Sequence, residues 1–386
     1  MNFPKKLKEF VTLGSSNLIS SIILGLFWLF LASILTKTEY GELGYLMAVV
    51  NIASGISLLG LRATLMVYVP KNENIIPASA ALVLITSIIS AIVVFVFIQN
   101  FFVSLAVVGM SFFHLSAGAL LSKEKYGTFS KYKLLQAGVA VIASLVFYQI
   151  FGINGIFLGY FLSFLFILKD LVHLVKNKKI EFSKLRSKIP FMIYAYSTRL
   201  SGVFFLWGDK LVIGAMFGLT MLANYHFAAQ YLFLLETIPR SMGEYLLPQE
   251  AGGQLNIKTK QFFIGLSCLI AVISIIVIPY GVNTFLPTYE ESILPMQIMS
   301  VAIIPLSIAA IQRAQFMGKE NSRIVLIGSV IQTGFYLVLV IILGQVFGIV
   351  GLAYGFLSAA IFISVFNYFV NIHMQNNSKA NHMKRK

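Results

Sequence analysis

The sequence predicts an all-α integral membrane protein whose twelve transmembrane helices form two parallel six-helix repeats around a central cleft. The apolar composition, the length of the uncharged stretches and an internal duplication support this prediction. Hydrophobic residues make up 58% of the 386 residues and charged residues only 11%, so a single soluble core could not bury the apolar surface. The chain is therefore expected to reside in a bilayer.

Uncharged stretches set the number of helices. The range 77–121 contains no charged residue, and as a helix it would be about 68 Å long, roughly twice the ~30 Å of hydrocarbon that one span crosses. It is predicted to be a helical hairpin that turns near Gln99 and Asn100. Continuous apolar runs of this kind indicate helices rather than alternating barrel strands. The same test predicts twelve spans, near 11–36, 43–68, 76–98, 101–121, 132–151, 154–175, 190–216, 221–248, 261–283, 292–317, 324–346 and 350–374.

The charge distribution predicts the orientation in the cell membrane. Of the 29 Lys and Arg residues, 23 lie on one set of alternating segments, including seven between Lys169 and Lys188, whereas the opposite set carries only Lys37. The positive-inside rule places both termini in the cytoplasm, as an even number of spans requires. The formal net charge of +15 therefore reflects topology and does not indicate a nucleic-acid partner. The N-terminal helix is predicted to remain as an anchor.

An internal duplication organises the chain. The ranges 123–159 and 319–355 align without a gap and share ten identical residues, including two glutamines and a Phe-Gly-Ile turn. Each copy belongs to a set of six spans, which predicts parallel repeats. The predicted domains are an N-terminal six-helix bundle at 1–178, a basic cytoplasmic linker at 179–188, a C-terminal six-helix bundle at 189–376 and a basic cytoplasmic tail at 377–386. The linker is either an amphipathic segment on anionic headgroups or, as we favour here, a solvated connection that fixes topology.

Eight charged residues remain within the predicted spans once those near span ends that belong with the cytoplasmic segments, such as Lys133 and Lys169, are set aside. These eight form the candidate site. An ionised side chain at the bilayer centre costs at least about 2.5–3.5 kcal/mol, so these residues should face protein or water. Arg199, about ten residues into its helix, is the first choice for a substrate-binding cation. Arg62 and Arg313 lie near predicted cytoplasmic ends, where they either join the site or snorkel to the headgroups. The full set is Arg62, Arg199, Asp209, Lys210, Glu236, Arg240, Glu244 and Arg313.

Two groups within this set have a recognisable spacing. Asp209 and Lys210 are adjacent, hence about 100° apart on a helix, and are predicted to reach different neighbours rather than each other. Pro239 should kink the eighth helix. Three charges at intervals of four share one face of that helix, which we interpret as a charged surface beside a water-filled cleft rather than a self-neutralised ladder: Glu236, Arg240 and Glu244.

Other chemistries are not predicted. His114 and His226 lie in or near the membrane without the spacing or the carboxylate cluster that a metal site needs. The chain also has no GxxxxGK[ST] motif, so it is not predicted to be an ATPase. The lone Cys268 excludes an internal disulfide framework.

Three stretches, 31–71, 208–251 and 314–358, resemble a known family. The first has a Tyr-Gly turn at 40–41 and a Leu-Gly-Leu at 59–61, and the second has an aspartate in the seventh helix and prolines late in the eighth. They resemble the polysaccharide transporters, or lipid-linked oligosaccharide flippases, of the multidrug/oligosaccharidyl-lipid/polysaccharide (MOP) superfamily. The resemblance implies that a polyprenyl-phosphate or polyprenyl-pyrophosphate glycan is moved from the inner to the outer leaflet by alternating access, for cell-surface polysaccharide biosynthesis.

The resemblance also implies roles for the charged residues. Five of them become cations that line the cleft: Arg62, Arg199, Lys210, Arg240 and Arg313. Three become counter-charges or carriers of a coupling H⁺ or Na⁺: Asp209, Glu236 and Glu244. No cofactor is implied, and the expected partners are the lipid-linked glycan, membrane lipids and glycosyltransferases or a polymerase of the same pathway.

Two alternatives remain open. A MATE-like ion-coupled multidrug exporter would share the architecture but favour buried carboxylates, against which the five intramembrane cations and three acids argue. A membrane glycan-modifying enzyme would be expected to need a sizeable outer loop or a catalytic histidine constellation, so an enzyme is the last choice.

Overall fold

The computed structural model describes residues 3–71, 73–237, 257–318 and 321–383, together with residues 239, 242, 246 and 250. Within these residues the secondary structure is helical, with short 3₁₀ turns at Val69–Lys71 and Pro287–Ser292 and no strand. The helices are α1 (Phe3–Ile34), α2 (Lys37–Ser57), α3 (Leu61–Tyr68), α4 (Ile76–Ile98), α5 (Phe101–Ser122), α6 (Tyr126–Phe151), α7 (Ile153–Leu165), α8 (Leu168–Val175), α9 (Phe182–Arg186), α10 (Ile189–Phe217), α11 (Leu219–Leu235), α12 (Ile257–Phe285), α13 (Ile293–Val301), α14 (Ile303–Gly318) and α15 (Ser322–Met383).

Each of the twelve predicted spans contains at least part of one of these helices. Among the described residues, eight helices are long and apolar enough to cross a membrane, or up to ten when each of two bent pairs, α2 with α3 and α7 with α8, counts as one span. The long helix α15 is broken at Gly348, which divides it at the predicted boundary between the eleventh and twelfth spans. The eighth span begins with the 17-residue α11.

The predicted hairpin at Gln99 and Asn100 is confirmed. Gln99 adopts the left-handed conformation with φ 55° and ends α4. Asn100 caps α5, because its side chain accepts a hydrogen bond from the Val103 amide at 3.1 Å. The Asn100 amide also donates to Asn154 Oδ1 at 2.6 Å. The turn is therefore formed by two polar residues that satisfy helix ends.

The internal duplication extends to three-dimensional geometry. Gly152 and Gly348 occupy the same position in the two copies, and both have φ 58° and ψ −140°. Gln136 Nε2 donates to Ser163 Oγ at 3.3 Å. Its counterpart Gln332 donates to the carbonyl at the equivalent position, Ala359, at 3.4 Å. Each copy therefore has the same helix break and the same glutamine link across it.

The described helices pack into two compact units, which we describe separately. The N-terminal unit contains Met1–Leu31 and Glu42–Leu211, and the C-terminal unit contains Ala32–Gly41 and Val212–Lys386. These limits reflect packing and place most of α10, up to Leu211, with the N-terminal unit. The predicted bundle limits at 178 and 189 lie at the boundary between the two sequence repeats, and they stay a prediction.

The core of the N-terminal unit joins α3, α4, α5, α8 and α9. Its buried residues include Leu61, Leu65, Val83, Leu115 and Leu185. On α4, by contrast, apolar residues that recur every three or four positions are exposed: Ile85, Ile89, Ile92 and Val96. An exposed stripe of this composition is suited to lipid rather than water.

The C-terminal unit contains a polar and aromatic cluster. Thr36 and Glu39 form a reciprocal capping box at the start of α2, which precedes the fully buried Tyr40. The Tyr40 ring packs 5.3 Å from His226 and 5.8 Å from Tyr289, measured between ring centroids. Nearby, Glu291 accepts a hydrogen bond from Asn224 at 2.5 Å and lies 3.5 Å from Lys37 Nζ.

Candidate functional site

A break in the second span positions the first candidate cation. Leu59 and Gly60 have φ angles of 47° and 73°, so α2 stops and α3 restarts with a bend of 46°. Glycine is required at position 60, because a Cβ there would lie 2.6 Å from the Met192 carbonyl oxygen on α10. Arg62 consequently sits in the first turn of α3, beside α5.

Four basic residues from four helices come together around this point. Arg62 Nη1 lies 3.5 Å from His114 Nδ1 on α5. The charges of Arg62, of Lys133 on α6 and of Arg199 on α10 all act on His114, and the charge of Arg199 also acts on Arg62. Gly118 admits the Arg62 side chain, because a Cβ at that position would lie 3.0 Å from Arg62 Cγ. We call Arg62, His114, Lys133 and Arg199 the basic cluster.

The guanidinium groups of the basic cluster are not neutralised within the part of the chain that the structure describes. Neither Arg62 nor Arg199 forms an ion pair with a described carboxylate. Arg62 is partly buried and Arg199 is exposed, so both can reach a ligand. Two like charges repel each other, and an anion bound between them offsets this repulsion. The arrangement is therefore suited to a phosphate or another anion, which guanidinium groups bind through charge-assisted hydrogen bonds.

Half of the basic cluster was not predicted as a cationic site. From the sequence, His114 is a candidate only for a metal site, and Lys133 belongs to a cytoplasmic segment. In the structure, Lys133 Nζ donates to Asn17 Oδ1 at 2.5 Å, and its charge acts on His114. The separation of these residues along the chain gives no signal that they meet.

The prediction for Asp209 and Lys210 is wrong. Lys210 Nζ lies 3.1 and 3.3 Å from the two Asp209 carboxylate oxygens and donates to the Leu206 carbonyl at 2.8 Å. The Cβ atoms point about 100° apart, but the flexible four-carbon stem of lysine lets its ammonium fold back to the neighbouring residue. Both side chains are buried, with 2% of Asp209 and 6% of Lys210 exposed. They form an internal ion pair, which leaves Lys210 poorly suited to bind substrate.

The remaining candidates belong to the C-terminal unit. The helix α11 ends at Leu235, four residues before Pro239. The residues on both sides of Pro239 lie outside the described part of the chain, so the predicted kink stays a prediction. Glu236 directly follows α11, and its charge acts on Arg313 of α14, whose side chain is exposed. Arg240 and Glu244 lie outside the described residues, so the predicted charge ladder stays a prediction.

The structure also locates the histidine of the C-terminal unit. His226 is fully buried, and its Nε2 lies 3.2 Å from Gln230 Nε2. Within the described ranges, no three His, Cys, Asp or Glu residues are grouped so that they could hold a metal ion. His226 therefore contributes to the packing around Tyr40 in this unit.

The fold is similar to that of solved transporter structures. The inward-facing conformation of a multidrug resistance MATE family transporter of the MOP superfamily has a TM-score of 0.64 at 14% identity, covering 94% of this chain and 96% of that one. The outward-facing conformation of such a transporter has a TM-score of 0.65 at 13% identity, covering 96% of both chains. Comparison with protein-family models gives no match, and neither does comparison with curated proteins.

A third similar structure is a MOP superfamily transporter from Pyrococcus furiosus Vc1. Its TM-score is 0.60 at 13% identity, and the alignment covers 95% of both chains. The binding pocket of that protein is described as having reverse polarity, which suggests a different function for it. At these identities the likenesses establish the fold alone. The predicted all-α membrane fold is confirmed, and the likeness does not single out the polysaccharide-transporter branch that the sequence resembles.

Proposed function

We propose that this protein is a secondary transporter that moves a lipid-linked oligosaccharide across the membrane by alternating access. Its substrate carries a phosphate or pyrophosphate between a polyprenyl chain and a glycan, and the basic cluster binds that phosphate. One observation carries the proposal. Arg62 and Arg199 are two guanidinium groups within spans, and neither has a described carboxylate partner. A guanidinium charge within a membrane span is costly, and binding an anion offsets that cost.

Three of the acidic residues of the N-terminal unit support the same proposal. Asp209 is paired with Lys210, Glu73 lies 2.7 Å from Lys188, and Asp170 accepts a hydrogen bond from the Tyr132 hydroxyl at 2.5 Å. These three carboxylates are therefore occupied by partners from the protein. A cationic substrate would instead be expected to need an available carboxylate.

The second candidate function is ion-coupled multidrug export. The neighbours in fold are multidrug resistance transporters, which supports this function at least as well as oligosaccharide flipping. The charge of the basic cluster favours the flippase. The same fold hosts a transporter described as having a pocket of reverse polarity, so the fold by itself does not determine the charge of the substrate.

A leaflet assay tests the proposal. The protein is reconstituted into vesicles that contain a fluorescent polyprenyl-phosphate glycan, and a membrane-impermeant quencher reports the transfer between leaflets. We expect the protein to accelerate transfer and expect Arg199→Ala and Arg62→Ala each to slow it about tenfold or more, because one charge-assisted hydrogen bond contributes about 1.5–3 kcal/mol. The Lys123→Ala variant, which removes an exposed lysine at the end of α5, is the matched control and should retain the rate.

The alternative is measured in the same preparation. Vesicles with a proton or sodium gradient are tested for efflux of ethidium, a lipophilic cation. Efflux that is unaffected by Arg199→Ala, together with no acceleration of glycan transfer, would establish the exporter and contradict the flippase. If the Lys123→Ala control slowed glycan transfer as much as Arg199→Ala and Arg62→Ala do, the basic cluster would not be the binding site of the phosphate.

A further inference from the structure

A basic segment lies at the end of the N-terminal unit between its last two long helices. Residues 169–188, here called the basic strap, contain seven basic and two acidic residues. Six of the basic side chains are exposed: Lys169, Lys176, Lys178, Lys179, Lys184 and Arg186. The strap therefore presents a strongly positive surface.

The basic strap is anchored to the unit rather than extended into solvent. Leu185 of α9 is only 4% exposed and belongs to the core that contains Leu61 and Leu115. Lys188 Nζ lies 2.7 Å from Glu73 Oε1 and 4.5 Å from the centroid of the Tyr68 ring. These contacts hold the strap beside the end of α3, where the chain leaves the second span.

Two large apolar side chains of the strap face outward. Ile180 is 52% exposed and Phe182 is 49% exposed, although both lie outside the spans, after the end of α8 and before the start of α10. Lys178 and Lys179 precede them and Lys184 follows. Exposed Ile and Phe in water are unfavourable, whereas apolar residues flanked by lysines are typical of segments that lie in the headgroup region.

The acidic residues of the strap do not cancel this charge. Glu181 is paired with Lys184 at 2.9 Å, and Asp170 accepts the Tyr132 hydroxyl. The exposed lysines at 176, 178 and 179 form no ion pair with a described carboxylate. Basic clusters of this kind are attracted to anionic lipid headgroups.

We propose that residues 176–186 dock on an anionic leaflet, with Ile180 and Phe182 inserted below the lipid phosphates and the neighbouring lysines in contact with them. The strap is then an interfacial element that fixes the depth of the N-terminal unit in the bilayer. This docking concerns the membrane surface and does not depend on which substrate is transported. This docking replaces the solvated connection that the sequence favoured, because the exposed Ile180 and Phe182 are suited to lipid rather than water.

Spin labels measure the depth of the strap directly. In a Cys268→Ser background, which removes the single native cysteine, labels are attached one at a time after Ile180→Cys or Phe182→Cys. The matched control is Ser183→Cys, an exposed polar position on the same short helix. Each full-length protein is reconstituted into vesicles of phosphatidylcholine alone or with phosphatidylglycerol, and label accessibility to oxygen and to a water-soluble nickel complex is compared.

We expect the labels at 180 and 182 to be several-fold less accessible to nickel than the label at 183 in phosphatidylglycerol vesicles. High salt, phosphatidylcholine vesicles or Lys178→Gln with Lys179→Gln should reduce that difference, because each weakens the attraction to anionic lipid. Equal nickel accessibility at all three positions in both lipids would overturn the proposal. Insertion that is the same in both lipids and insensitive to salt would overturn its anionic part. Neither result depends on transport, so failure here is distinguishable from failure of the proposed function.

Discussion

Replacing Asp209 by Asn is expected to lower the free energy of unfolding by about 3–5 kcal/mol, because it breaks a buried ion pair and leaves one charge behind. Lys210 would keep the Leu206 carbonyl, 2.8 Å from its Nζ, but would lose the carboxylate at 3.1 Å. An ammonium group in this buried position could not be solvated by water. The change is measured as the shift of the thermal unfolding midpoint of the purified protein in detergent.

A double variant separates the ion pair from simple packing. Asp209→Leu combined with Lys210→Met replaces both charges by apolar side chains, and such replacements are often neutral or stabilising. We therefore expect it to be much more stable than Asp209→Asn. The exposed pair between Glu181 and Lys184 is the control, and Glu181→Gln should cost no more than about 1 kcal/mol.

The same pair of variants tests the predicted role of Asp209 as a carrier of the coupling ion. If Asp209→Asn retained full stability but lost transport, the carboxylate would be functional and the structural interpretation of the ion pair would be wrong. If the double variant still transported, Asp209 and Lys210 would be excluded from the transport cycle. The geometry favours the second result.

Features that depend on neighbouring residues could be predicted from the sequence. The turn at Gln99 and Asn100 follows from the length of one uncharged stretch and two polar residues in its middle. The duplicated break at Gly152 and Gly348 follows from a gapless alignment, because the same turn sequence adopts the same backbone angles. In both cases the decisive chemistry lies within a few residues of the feature.

Features that depend on contacts between helices could not be predicted in this way. Arg62 was selected by its position in a span, but its neighbour His114 lies 52 residues away, and only the packing of α3 against α5 brings them together. The error at Asp209 and Lys210 has a different cause. The direction of the Cβ atoms predicts that the two side chains diverge, whereas the flexible lysine stem is long enough to bring the ammonium group back to the carboxylate.

The close packing of α6 against α7 provides the second large effect. Gly155→Ala is expected to lower the free energy of unfolding by about 3 kcal/mol, at the upper end of the overpacking range, because its Cβ would collide with the Phe147 carbonyl group. Gly351→Ala, at the equivalent position of the second copy, should have a similar cost, since its Cβ would collide with the Leu343 carbonyl group. Backbone atoms of a helix cannot move aside as a flexible side chain can.

Two further glycines of the same alignment serve as controls. Gly138 and Gly334 lie within α6 and α15, and a Cβ at either position would meet no atom within 4 Å. Alanine there should leave the unfolding midpoint unchanged or raise it, because alanine favours a helix over glycine by up to about 1 kcal/mol. Loss of stability in these controls equal to that in Gly155→Ala would indicate a general intolerance of α6 and α15 rather than a local collision.

The third glycine pair predicts different outcomes in the two copies. A Cβ at Gly159 would collide with the backbone of Ser144, whereas at the equivalent Gly355 it would lie 3.4 Å from the nearest Leu339 atom, an ordinary contact. We therefore expect Gly159→Ala to lower the thermal unfolding midpoint and Gly355→Ala to leave it nearly unchanged. If both substitutions were tolerated, the helices of the first copy would not approach as closely as their geometry requires. If both substitutions lowered the unfolding midpoint, the helices at Gly355 would pack more closely than the 3.4 Å contact indicates.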